Sequence, residues 1–488
     1  MSSTEGKNHR IRGRARSLRT TALGYVLAAL VSGCATHSDD VSRPAGISLP
    51  AIWSDGSGAV SATGQPADIA RWWQHFNDPL LTTLVTDALE NSPDLHAAQA
   101  SLAQGRAARR AARSGLFPSL DATASAQRSH GSAQTGAGTT TDRYAAGFDA
   151  NWEPDLFGST RHAVDAADAG VAASAAALQA TRVALAAEVA IAYIDLRSAQ
   201  ARFDIATQNL AAQDETLALT GWRAEAGLAS SLDTEQARTA REQTRAQLAA
   251  LDAALATTEH RLAVLCGKPP AALHDLLAPR TPIPATASDV PTTIPADTLR
   301  RRPDVRAAEW RLQADSARVD AARAARWPSL RISGSIGVAA LTAGGLTAGD
   351  AGTNTLLGSI ALPLFDAGRL RAQVAVQLAV REQTLASYQS TVLAALQDVE
   401  DALVNVRTSR VRVDALRNAS EAAGNAMRLA RQRYEAGSID FQSLLDTQRT
   451  ALAVDDGLAV AHADEAAAQV RLYKSLGGGW QPDEDEKK

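Results

Sequence analysis

The sequence predicts a mainly α-helical chain with a membrane β-barrel portion, built as a duplicated unit of long α-helical hairpins plus a β-hairpin. Three observations predict it. Of 488 residues, 45% are hydrophobic but only 4% aromatic, so alanine, the best helix former, carries much of the apolar share and suits slim, closely packed helices. A repeat runs through the chain at a spacing of 210 residues. Each copy also holds two stretches in which apolar residues alternate with small or polar ones, the period of a strand with two unlike faces. This composition excludes a disordered, collagen-like or polytopic membrane protein. A net charge of −4 offers nucleic acid no basic footprint.

The N-terminus reads as an address. Lys7, Arg10, Arg12, Arg14, Arg16 and Arg19 precede the apolar run from Thr20 to Val31, which is shorter than the ~20 residues a spanning helix needs. Residues 1–33 are therefore expected to be a signal peptide. Leu30-Val31-Ser32-Gly33-Cys34 places small residues before a cysteine, the setting for a diacylglyceryl and N-palmitoyl lipid on Cys34, and Ala35 in place of Asp sends such a lipoprotein to the outer membrane. Removal takes away six Lys/Arg and one Glu, leaving 43 basic against 52 acidic residues, a net charge of −9. Residues 34–70, rich in Ser, Gly, Ala and Pro, read as an extended lipidated linker. With Cys34 and Cys266 as the only cysteines, no disulfide framework or thiolate metal cluster is expected.

The repeat pairs Ser92-Pro93-Asp94-Leu95 with Arg302-Pro303-Asp304-Val305, Phe117-Pro118 with Trp327-Pro328, Ala226-Gly227 with Ala436-Gly437, and Gly267 with Gly477, all at 210. Leu156-Phe157 and Arg161 pair with Leu364-Phe365 and Arg369 at 208, so a loop differs in length mid-unit. The first repeat is assigned to 71–267, the second to 301–476, with a proline-bearing connector at 268–300 and a disordered acidic tail at 477–488.

In each repeat a proline opens a helix of about twenty residues that stops before the next proline. Strands follow at 118–127 and 143–153, and at 328–339 and 353–364. Tyr144, Ala146, Phe148, Ala150 and Trp152 alternate in one; Leu330, Ile332, Gly334, Ile336 and Val338 in another. Between Arg331 and Phe365 the only charge is Asp350. This is the pattern of a transmembrane β-hairpin, and the strand pattern alone equally fits a soluble two-sided hairpin. Then come proline-free helical stretches at 159–221 and 367–434. In the second, Leu385, Tyr388, Val392, Leu396, Val399, Leu403, Val406, Val413 and Leu416 form a drifting stripe that suits two neighbours. Gly227 and Gly437 are read as turns from which each rod returns as a second helix.

Open strand edges cannot face hydrocarbon, so four strands enter a membrane only by sharing a barrel with copies of the chain; two copies give eight strands, three give twelve.

Trp72-Trp73-Gln74-His75-Phe76-Asn77-Asp78-Pro79-Leu80, Arg301-Arg302-Pro303-Asp304-Val305, and Tyr434-Glu435-Ala436-Gly437 with Leu444-Leu445-Asp446-Thr447-Gln448-Arg449 resemble the outer membrane factors of tripartite efflux pumps, the TolC-like channels, in their NodT-type lipoprotein branch. The resemblance spans about residues 70–476. It implies a homotrimer with a 12-stranded β-barrel over a 12-helix-type α-barrel. It also implies a passive exit duct for small molecules, with a periplasmic adaptor and an inner-membrane RND transporter as partners. A periplasmic gate then falls at Tyr434, Gln442, Asp446 and Arg449. Asp446 and Arg449, three apart on one helix, are able to pair with each other or with another chain; Gln442 stands where many members carry an apolar residue. The rival reading is a lipid-anchored helical adaptor or scaffold. No HExxH, G-x-S-x-G, Walker loop or G-x-G-x-x-G is present, so no enzyme, cofactor or metal is expected.

Overall fold

In the computed structural model, residue 50 and residues 53–54, 69–135, 138–284 and 295–480 are described. Residues 1–33, Cys34, most of the linker and residues 481–488 lie outside them. The chain divides into a strand unit (residues 115–162 and 320–374) and a helical unit (the described residues of 48–114, 163–319 and 375–480).

The helices are α1 Pro79–Asn91, α2 Pro93–Ser114, α3 Ser159–Glu225, α4 Ser231–Leu265, the single turn α5 His274–Leu277, α6 Pro295–Arg301, α7 Pro303–Ala324, α8 Arg369–Glu435 and α9 Phe441–Ser475. The strands are β1 Ser119–His130, β2 Thr140–Trp152, β3 Ser329–Ala340 and β4 Gly352–Ala361. The duplication is one of whole elements: α2 and α7 have 22 residues each, α3 and α8 have 67, α4 and α9 have 35. At 1.5 Å per residue the longest helices measure about 100 Å. The pairing of Arg161 with Arg369 is corrected. Gly158 and Gly368, both at φ +87°, immediately precede α3 and α8 and restore the 210 spacing. The two extra residues are Asp366 and Ala367, absorbed in a capping loop where the Asp366 carboxylate accepts from the amides of Gly368 and Leu370, both at 2.9 Å.

In the strand unit the order is β1-β2-β3-β4, antiparallel throughout. Each strand begins and ends within three residues of its expected position. Pairing of β2 with β3 joins the two repeats into one sheet, and the outer edges of β1 and β4 have no strand partner among the described residues. The register sorts side chains by parity. Leu120, Phe148, Ile336 and Ile360 stand on one face; Asp121, Thr123, Asp149, Ser335 and Thr355 stand on the other. Tyr144 and Trp152 end the apolar row of β2, about 26 Å apart along the strand at ~3.3 Å per residue. That matches the ~25 Å apolar band and aromatic girdles of outer-membrane strands. Leu120, Ile336, Leu356 and Ile360 are exposed in the single chain, as lipid-facing residues must be.

In the helical unit the main core gathers Trp72, Trp73, Phe76, Leu81, Leu84, the Leu185–Leu196 stretch of α3, and Leu262 and Tyr473. The Trp72 motif acts as an anchor here. Trp72 is fully buried and stacks on Tyr473 with centroids 5.6 Å apart, and Tyr473 Oη lies 3.0 Å from His75 Nδ1. Asp78 caps α1 by accepting from the amides of Leu80 and Leu81, and its second oxygen accepts from Tyr193 Oη at 2.6 Å. On α8, Val392, Ala395, Val399, Ala402, Val406 and Val413 are buried at alternating threes and fours, while Leu396, Leu403 and Leu416 stay half-buried beside them. The stripe thus has one face filled within the chain and a second left for a neighbour.

The connector is partly helical and pinned: buried Arg197 donates to the Pro279 carbonyl at 2.7 Å, and Gln200 donates to that of Leu277 at 2.9 Å. One expectation changes. The described start of the acidic tail is packed. Gly477 and Gly478 bond back to α9, and the Gly479 amide bonds the Ile69 carbonyl at 3.1 Å. Glycines let the backbones touch, since a Cβ at Gly478 would stand 2.9 Å from the Ile69 carbonyl oxygen.

Candidate functional site

The candidate site is the end of the helical unit where each long helix turns back. Both turns are built alike. After α3, the Leu228 amide bonds the Arg223 carbonyl at 2.7 Å and the Gly227 amide bonds that of Ala224 at 3.0 Å; after α8, Ser438 and Gly437 repeat this on Arg433 and Tyr434 at 2.8 and 2.9 Å. These double bonds demand a left-handed residue, and Gly227 and Gly437 sit at φ +70° and +74°. Both returning helices are capped. Ser230 and Asp233 form a capping box on α4, whereas Asp440 caps α9 by accepting from the Ser443 amide at 2.8 Å. Hydrogen bonds from the Ser443 hydroxyl and amide hold the Asp440 carboxyl below its usual range.

Tyr434 is buried between the two hairpins rather than presented at the surface. Its ring meets Phe441 at 5.9 Å edge-on, and the Arg223 guanidinium lies 4.7 Å over it while donating to the Tyr434 carbonyl at 2.6 Å. Leu444, Leu445, Ala237 and Ala240 close this cluster. Two further links tie the second hairpin to α3. Arg431 pairs with Glu215 at 2.6 Å, and Gln448 donates to Thr216 Oγ1 at 3.0 Å.

Gln442, Asp446 and Arg449 are exposed and spaced four and three apart, so they share one face of α9. Gln442 donates to Asp446 at 3.0 Å. Among the described residues no ion pair joins Asp446 to Arg449, so of the two pairings open to them the one within the helix is not made. The face belongs to the second repeat only: 210 residues earlier stand Leu232, Gln236 and Thr239. The first hairpin end instead exposes Trp222, Leu228 and Leu232. Sequence reasoning missed Arg223, Glu215, Thr216, Arg431 and Gln448. Of these only Gln448 gave a signal, four residues after Leu444 on the buried side of α9. Among the described residues no group of three His, Cys, Asp or Glu is arranged for a metal ion.

The sequence profile of the Outer membrane efflux protein family matches residues 84–268 and again 294–478, two matches at the internal 210 spacing. The chain belongs to this outer membrane efflux protein family. It is 35% identical over 463 residues to the toluene efflux pump outer membrane protein TtgC of Pseudomonas putida, covering 93% of this chain and 94% of TtgC. It is 32% identical to the outer membrane protein OprJ of Pseudomonas aeruginosa, covering 95% and 97%. Its fold superposes on the outer-membrane channel OprN with a TM-score of 0.81 at 36% identity, over 85% of this chain and 93% of OprN. This efflux protein is accordingly an outer-membrane channel that reaches into the periplasm. The open edges of its four-stranded sheet belong to a twelve-stranded barrel shared by three copies, and the helical scaffold reading is set aside.

Proposed function

We propose that three copies of this chain form the exit duct of a tripartite pump, receiving small molecules from a periplasmic adaptor and an inner-membrane transporter of RND type. The names of relatives support the pump setting: TtgC is called part of a toluene efflux pump. Energy comes from the transporter, and the chain itself carries out no reaction. The periplasmic constriction is the Gln442, Asp446 and Arg449 face of α9. Tyr434 and Arg223 hold the second hairpin against the first behind it, while Gly227 and Gly437 supply the turns.

The observation that carries this assignment is an exposed carboxylate and an exposed guanidinium on one helix face that form no ion pair among the described residues. Three Asp446 side chains converging on a three-fold axis form a cation-favouring ring, and Arg449 reaches a neighbouring copy. In planar bilayers, Asp446→Ala trimers are expected to lose most of the cation preference and to conduct more than wild type. Unchanged preference and unchanged conductance would remove Asp446 from the gate.

A diacylglyceryl and N-palmitoyl lipid on Cys34 completes the proposal, its thioether leaving no thiol there. Cys266 is fully buried under α1, and burial pushes its thiol up to about 11. The mature protein is therefore expected to show no reactive thiol when folded and one per chain in denaturant. Two thiols in denaturant refute the lipid.

A further inference from the structure

Beside the anchored N-terminal motif lies a cavity of about 400 Å³ whose wall includes Arg71, Trp73, Glu90, Arg182 and Trp480. None of it belongs to the hairpin ends or the sheet. Among the described residues Arg71 and Arg182 have no ion-pair partner, and Arg182 Nε is shielded from solvent with no hydrogen-bond acceptor. A shielded guanidinium N–H without an acceptor is costly, more so than a neutral donor, because desolvation is not compensated. Trp480 extends the same bias. The Arg306 guanidinium lies 5.3 Å from its ring centroid, and its indole N–H is engaged by the Arg301 carbonyl at 3.2 Å, which fixes the ring as a wall. Among the lining residues two guanidinium groups stand against one carboxylate, Glu90, so the wall is net positive.

We propose that this cavity is a binding site for a carboxylate-bearing anion, with Arg71 and Arg182 taking the carboxylate and Trp480 packing against the rest of the ligand. A planar guanidinium offers paired donors that match a carboxylate, and the aromatic wall contributes contact area without a polar requirement. Two sources have this chemistry. One is external, an acidic periplasmic solute or polymer. The other is the chain itself, since Asp483-Glu484-Asp485-Glu486 follows Trp480 by only three residues in sequence.

The test uses the detergent-solubilised full-length protein titrated with a tetraglutamate peptide at low ionic strength, read by tryptophan emission. Trp480→Phe assigns the signal, which is expected to disappear in that variant. Saturable binding is expected to be lost in the Arg71→Gln, Arg182→Gln double variant. A second arm repeats the titration on a chain ending at Trp480. If the chain's own acidic stretch is the occupant, its removal tightens peptide binding by about tenfold or more, because an intramolecular competitor acts at millimolar effective concentration. Equal affinity with and without residues 481–488, still abolished by the double variant, assigns the site to an external anion. Binding that is absent in both forms, or that survives the double variant in a correctly assembled trimer, overturns the proposal. Arg71→Gln alone, at an exposed position, guards against misfolding and is expected to weaken binding without altering trimer elution.

Discussion

Gly337→Ala is expected to prevent most of the protein from assembling in the outer membrane. Gly337 faces Gly147 across the β2–β3 seam, the pairing that joins the two repeats into one sheet. A Cβ at residue 337 would stand 2.5 Å from the Ala146 carbonyl oxygen and 2.8 Å from the Gly147 Cα, and one at residue 147 would stand 2.7 Å from the Ile336 carbonyl oxygen. Both obstacles are backbone, which cannot rotate away, so relief requires the strands to separate or slip. A one-residue slip carries Ile336 and Val338 from the lipid face to the lumen face. Overpacking of this kind costs about 1–3 kcal/mol, and the seam occurs three times in the barrel. Gly334→Ala is the matched control on the same strand, because a Cβ there meets Thr355 O at 3.5 Å, an ordinary contact. Heat-resistant trimer in outer-membrane fractions is expected to fall at least several-fold for Gly337→Ala and to stay near wild type for Gly334→Ala. Equal yields for the two variants contradict the close-approach argument.

The fold was legible to the extent that it was written in local patterns. Period-two alternation from Tyr144 to Trp152 marked the strand and its lipid face, and Pro93 and Pro303 marked the helix starts. The repeat then supplied the element lengths twice over. What failed was local identity without geometry. Arg161 and Arg369 matched as letters, yet the glycines before α3 and α8 set the true register, with Asp366 and Ala367 accommodated in the capping loop. Gly477 to Trp480 looked like tail composition, because packing by bare backbone leaves no hydrophobic signature. At the hairpin end, Gln442, Asp446 and Arg449 came from a family resemblance, and their shared face followed from helical spacing. Arg223 did not announce itself. Its partners, the ring and carbonyl of Tyr434, lie 211 residues away, and no periodic pattern encodes a contact at that range.

Arg302→Met is expected to destabilise the second repeat by about 3 kcal/mol, and the effect should be pH-dependent. Arg302 is 8% exposed just ahead of Pro303, where its guanidinium meets three elements at once. It bonds Asp304 at 2.7 Å, Asp398 of α8 at 2.9 Å, and the carbonyls of Ala395 on α8 and Ser475 on α9, both at 3.3 Å. Methionine fills similar space but leaves both carbonyls without this donor, the larger loss, since Asp304 and Asp398 are half-exposed and water can solvate them. Ser92 holds the equivalent place in the first repeat, so no symmetric partner compensates. Desolvation pushes the Asp304 carboxyl up, but the Arg302 hydrogen bonds and charge outweigh it and hold it below its ordinary value of 3.8. A carboxylate depressed in the folded state stabilises above its unfolded pKa and loses that contribution as pH falls through the folded one. The gap in thermal midpoint between wild type and Arg302→Met should therefore be full at pH 7, persist down to about pH 4, and narrow below it. A gap that is absent at pH 7, or that widens on acidification, is incompatible with Arg302 acting as the buried charge that ties α7, α8 and α9 together.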